Sequence, residues 1–123
     1  GVASNTDVVE EYYPATDQWG AVRARMPTAR SAVAWGVHGG RIYVAGGEGQ
    51  NDQFMAAFRA VEAYEPATNR WTALPRMPAP RHGLAGGVLG IRLHLVSGDV
   101  QSAGIPGMQL HSPNHDAIEL SGR

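Results

Sequence analysis

Residues Val61–Trp71 read V-E-A-Y-E-P-A-T-N-R-W, and Val9–Trp19 have already read V-E-E-Y-Y-P-A-T-D-Q-W. Seven of the eleven positions are identical, at an offset of 52 residues. Self-similarity at a period near 50 points to stacked or ring-shaped repeats, in which each copy of one supersecondary unit covers the next. The repetition runs beyond this phrase. Arg25-Met26-Pro27 returns as Arg76-Met77-Pro78, Arg30 aligns with Arg81, and Gly39–Gly47 (G-G-R-I-Y-V-A-G-G) aligns with Gly90–Gly98 (G-I-R-L-H-L-V-S-G). One unit therefore reads arginine, apolar strand, glycine turn, apolar strand, glycine doublet, variable loop, and then the Val-Glu-x-Tyr phrase.

The Gly46-Gly47 doublet closes an apolar strand, and Tyr64 precedes Trp71 with six residues between them, a spacing that Tyr12 and Trp19 repeat. In these features nearly the whole chain resembles the kelch repeat. The resemblance implies an all-β fold, a partial kelch β-propeller built of four-stranded antiparallel blades. It divides the chain into the outer half of a blade at residues 1–24, a complete blade at 25–75 and most of a further blade at 76–123. The second copy departs at Ser97, which stands in the first glycine place. Propellers close with about 4–8 blades, so the chain is expected to need further blades, from a longer chain or from self-association.

The strands follow from the pattern. Val8–Tyr13 and Trp19–Val22 are the expected outer pair of the first blade. Ser31–Val37 and Arg41–Ala45 are the inner pair of the next, with apolar residues nearly continuous, as in strands covered on both faces; Trp35 reads as core. Gly46 and Gly47 suit a place where the next blade approaches too closely for a Cβ. Pro66-Ala67-Thr68-Asn69 is turn chemistry, with Asn69, and Asp17 in its place in the first copy, tolerating a left-handed backbone. The stretch Gln53–Ala63 is helix-permissive, but Phe54, Met55 and Phe58 are expected to anchor a long loop. In the third unit Gly83–Leu89 and Arg92–Ser97 are the inner strands, Asp99–Asn114 the loop and His115–Leu120 the third strand. The 16 glycines and 8 prolines fit many short strands and turns.

Charge and side-chain chemistry remove several function classes. Ten basic residues, all arginine, oppose eleven acidic ones, so no global field draws the chain to nucleic acid or an anionic membrane. Arg92 interrupts the longest apolar run, Gly83–Val96, well short of a membrane span. His111 and His115 have an H-x3-H spacing, but Pro113 and Asn114 disfavour the helix that would align them, and in a strand they stand about 13 Å apart. No metal site and no cofactor are expected. Ser97 lies in V-S-G-D rather than a nucleophile elbow, and Gly46-Gly47-Glu48-Gly49 lacks the lysine and helix of a phosphate loop. No catalytic residue is assigned. The resemblance also reaches kelch-type enzymes. Copper-radical oxidases of the galactose-oxidase kind need a tyrosine cross-linked to cysteine, and this chain has no cysteine. Sugar epimerases need no such cofactor and stay as the alternative function, although no motif of theirs matches.

Arg30 and Arg81 each follow a Met-Pro turn and precede an innermost strand. The resemblance places that connection on the face of the long loops, where kelch propellers commonly bind ligands, and guanidinium groups there would grip carboxylates bidentately. An arginine at a fixed repeat place equally suits a structural role, bonded to neighbouring backbone carbonyls. Asn51, Asp52 and Gln101 are the loop residues assigned with them to ligand binding. The expected function is a non-catalytic binding or scaffold module that recognises a protein segment or a glycan.

Overall fold

Left-handed turns set where the strands end. Asp17 and Asn69 take φ of 51° and 54°, and Gly39 and Gly40 turn the inner hairpin at 55° and 73°. Between such turns the described residues form eleven strands: β1 Tyr12–Tyr13, β2 Gln18–Trp19, β3 Ala34–His38, β4 Arg41–Ala45, β5 Glu48–Gln50, β6 Met55–Ala57, β7 Val61–Glu65, β8 Arg70–Ala73, β9 Ala85–Leu89, β10 Arg92–Val96 and β11 His115–Glu119. The structure is a computed structural model, and it describes residues 5–51, 53–102 and 110–120. Among the described residues there is no helix long and apolar enough to cross a membrane.

The sheets are antiparallel. The central one has the order β3-β4-β7-β8, the next β11-β10-β9, while β1-β2 and β5-β6 are separate hairpins. The shared register carries the repeat. Val44 lies opposite Glu62 in the central sheet, and Leu95 lies opposite Asp116 in the next. Tyr64 stands opposite Trp71 as Tyr12 stands opposite Trp19. The first hairpin is longer than its two-residue strands, since Gly20 N–H donates to Glu11 O, Arg23 N–H to Val9 O and Met26 N–H to Asp7 O.

The core fills the space between the two larger sheets. Tyr43, Ala45, Val61 and Ala63 point into it from one side, and Leu93 and Leu95 from the other, with Met77, Leu84 and Leu120 closing the margins. Glycine permits the approach. A Cβ on Gly36 would lie 2.7 Å from Val88 Cγ2, and one on Gly86 would lie 2.8 Å from the Cβ of Ala34. Gly46 (φ 66°) meets the following unit, where an added Cβ would stand 2.5 Å from the Arg81 carbonyl oxygen. Ser97 takes the same left-handed backbone, at φ 58°.

Two expectations are corrected. Trp35 is not core: it is 63% exposed, as is Val37 at 56%. The inner strand β3 alternates buried and open instead of being covered on both faces, because among the described residues the β1-β2 hairpin does not reach across β3. Where a long loop anchored by Phe54, Met55 and Phe58 was expected, Glu48–Gln50 and Met55–Ala57 pair as the hairpin β5-β6. Phe58 anchors it over Gly49, where a Cβ would meet its ring at 2.7 Å, while Phe54 and Met55 stay exposed.

Candidate functional site

The connections before the inner strands and the loops after the doublets are tied together in both units. Ser31 and Glu48 exchange backbone hydrogen bonds of 3.0 and 2.9 Å, and His82 and Asp99 exchange bonds of 3.0 and 2.9 Å. Gly47 N–H donates to the Arg81 carbonyl, joining one unit's doublet to the next unit's strand entry. Arg30, Arg81, the β5-β6 hairpin and the loop from Asp99 therefore share one face.

The arginine side chains point away from that face into the blades. Both are 0% exposed. Arg30 Nη1 donates to Glu62 Oε2 at 2.7 Å and Nη2 to the Val44 carbonyl at 3.1 Å. Arg81 pairs with Asp116 through Nη2, and its Nη1 donates to the carbonyls of Ser97 (2.9 Å) and Asn114 (3.2 Å). These bonds are the structural role that the sequence left level with ligand binding, and they leave neither guanidinium reachable as the blades stand. The signal that would have revealed this is the acid of the Val-Glu-x-Tyr phrase. Glu62 and Asp116 hold equivalent register places, and each takes the arginine of its own unit.

Of the loop residues, Gln101 is exposed. Asn51 is exposed too, and its Oδ1 accepts from the N–H groups of Gln53 (2.8 Å) and Phe54 (3.0 Å), folding the tip of the hairpin. Asp52 lies outside the described residues. Sequence reasoning missed two carboxylates here. Glu48 and Asp99 each follow a doublet place, and that recurrence (G-G-E, S-G-D) was the available sign. Glu48 Oε2 accepts from Ser102 Oγ at 2.8 Å and lies 3.9 Å from His82 Nε2, and Asp99 pairs with His111. His82 is buried, and among the described residues its Nδ1 has no hydrogen-bond partner. The face is thus a polar rim of amides, carboxylates and imidazoles. His111 and His115 do not converge: His115 Nε2 contacts His94 Nδ1 at 2.9 Å. Among the described residues no group of three or more His, Asp or Glu side chains is placed to hold a metal.

Tyr64 and Trp71 form the seam with the first hairpin, while their counterparts Tyr12 and Trp19 stay exposed. The rings of Tyr64 and Trp71 stand 5.1 Å apart, Trp71 Nε1 donates to the Ala24 carbonyl at 2.9 Å, and Arg23 Nε donates to the Tyr64 hydroxyl at 3.0 Å. Residues 25–78 match the family model described as the Kelch motif. This is a kelch-repeat chain. The kelch chain is 41% identical over 68 residues to the Kelch-like protein terF of Aspergillus terreus, an alignment covering 55% of the chain and 15% of that protein. It is 36% identical over 81 residues to an F-box/kelch-repeat protein of Arabidopsis thaliana, covering 66% of the chain and 20% of the relative. The chain thus spans a fifth or less of the length of these two relatives. The solved structure of YjhT superposes with a TM-score of 0.63 at 21% identity, covering 80% of the kelch chain and 36% of that one. It supports the fold, an all-β partial propeller.

Proposed function

We propose that this kelch chain is a non-catalytic binding module that presents its loop face to a protein segment. The observation that carries the reading is the pair of repeated bridges, Ser31 to Glu48 and His82 to Asp99, which hold successive loops on one rigid edge. Sites mounted on such a scaffold position their contacts without much ordering cost on binding. The exposed amides Asn51 and Gln101, with Asp52 next to Asn51 in sequence, offer donors and acceptors suited to a peptide backbone. Arg30 and Arg81 contribute by fixing the strand entries from which the loops depart. Units at 25–75 and 76–123, preceded by the outer half-blade at 1–24, are the division of the chain that this reading uses.

The test is a peptide array and a glycan array, each probed with the 123-residue chain and with Asn51→Ala and Gln101→Ala. Saturable binding to peptides, weakened at least tenfold in either variant, supports the reading. Binding to glycans alone, or binding to peptides unaffected by both substitutions, overturns it. Turnover of a sugar substrate would favour the carbohydrate-enzyme alternative.

A further inference from the structure

One backbone contact occurs in two successive units with its charges changed. Met26 N–H donates to the Asp7 carbonyl at 2.9 Å, and Met77 N–H donates to the Arg59 carbonyl at 2.9 Å. In the first case the residue beside the methionine, Arg25, closes an ion pair with Asp7 at 2.6 Å. In the second, Arg76 holds the place of Arg25, but Arg59 holds the place of Asp7. The backbone geometry that lets Arg25 reach its acid therefore sets Arg76 beside a second guanidinium. Both arginines are exposed, and among the described residues neither has an acidic partner. Arg59 is anchored, because its Nε donates to the Met77 carbonyl at 2.7 Å, and its Nη groups are left for a further acceptor. The pair stands where the four-stranded central sheet meets the loop face. Arg59 leads into β7, Arg76 follows β8, and Arg81 N–H donates to the Phe58 carbonyl at 3.3 Å, at the foot of the β5-β6 hairpin.

We propose that Arg59 and Arg76 bind the phosphorylated side chain of a serine or threonine in the protein segment that the loop face recognises. The inference rests on that reading and adds a chemical mark on the partner. Charge and geometry select the ligand. A phosphate monoester carries about −1.5 to −2 charges near neutral pH and three strong acceptor oxygens, which match two guanidinium groups. A carboxylate carries one charge and leaves half of the pair uncompensated. Planar guanidinium forks grip such oxygens through two parallel bonds, and the Nη end of Arg59 with the whole guanidinium of Arg76 supplies the donors. From Phe54 at the tip of the hairpin to Phe58 at its foot the chain runs about 13 Å. A segment that touches Asn51 at the tip thus reaches the arginines with a residue about four positions away.

The experiment titrates the 15N-labelled 123-residue chain with N-acetyl-O-phosphoserine amide at pH 7 and constant ionic strength, following the arginine Nε–H resonances. Those of Arg59 and Arg76 should shift together and saturably, and N-acetylglutamate amide should bind at least tenfold more weakly. Arg59→Asp, which rebuilds the ion pair of the first unit, should abolish saturable binding, and Arg76→Gln should weaken it at least tenfold. Arg92→Gln, on the last sheet, is the unaffected control. Backbone amide spectra show that each variant keeps the fold, and because Arg76 is exposed its variant serves if Arg59→Asp does not fold. A second arm compares phosphoserine and unphosphorylated forms of the same peptides on the array. At least tenfold preference for the phosphorylated forms, lost in Arg76→Gln, supports the proposal. No saturable shift, a shift spread evenly over the exposed arginines, or binding indifferent to both substitutions overturns it. Peptides bound through Asn51 and Gln101 without regard to phosphate also overturn it and leave the loop-face reading standing. A saturable shift with no peptide bound on either array removes the loop-face reading and leaves the two arginines to a free phosphate ester.

Discussion

Replacing Arg30 by methionine tests whether the recurring arginine holds the blade together. The guanidinium is fully enclosed, and its bonds reach Glu62 Oε2 at 2.7 Å and the carbonyls of Val44 and Thr28 at 3.1 and 3.4 Å. Methionine preserves much of the aliphatic volume, so the loss is electrostatic rather than a cavity. It strands Glu62, whose side chain is only 6% exposed and, among the described residues, keeps the Thr28 hydroxyl at 2.7 Å. Removing one partner of a buried pair costs about 3–5 kcal/mol. With a urea slope of about 1–3 kcal/mol per molar, the midpoint should fall by about 2 M. Unfolding followed by circular dichroism reads this directly. The double variant Arg30→Met with Glu62→Leu should recover most of the loss, because it strands no charge. A fall below about 0.5 M in Arg30→Met, the range of an exposed ion pair, would refute the structural role. A double variant no better than the single would locate the cost in packing instead.

Trp71→Ala should cost about 2 kcal/mol, below the usual range for a fully buried tryptophan because the ring is half-buried. Trp19→Ala, in the equivalent place but 68% exposed, should change the urea midpoint little. Ser97→Gly should stabilise by up to about 1 kcal/mol, since φ is 58° and glycine takes that backbone without a Cβ penalty. Gly46→Ala should destabilise, because its Cβ would stand 2.5 Å from the Arg81 oxygen; thermal melts of the two variants should shift in opposite directions. The Thr68 hydroxyl bonded to Glu65 holds that carboxyl below its ordinary value of 4.5. A lowered folded pKa contributes stability above the unfolded value that is lost as pH falls through the folded one. Thr68→Ala should therefore flatten the fall in urea midpoint between about pH 5 and pH 3.

What the sequence determined by itself was everything set by local chemistry and by the period. The left-handed turns at Asp17 and Asn69, the inner hairpin at Arg41 and the Tyr64–Trp71 seam follow from residue types at fixed spacings; the turn and the hairpin recur in the second copy, whereas Ser97 brings a Cβ into the doublet place and Tyr12 and Trp19 stay exposed. The β5-β6 hairpin was less legible, because Phe54, Met55 and Phe58 do not alternate as a strand pair does and their anchoring depends on the space over Gly49. Tertiary structure alone decided the fate of the arginines. A guanidinium just ahead of a strand can turn to the rim or into the blade, and the choice rests on a carboxylate 32 or 35 residues away and on the desolvation that only packed sheets impose. It also decided Trp35. Burial of a strand face belongs to the neighbour that covers it, and an apolar run carries no record of whether that neighbour is in place.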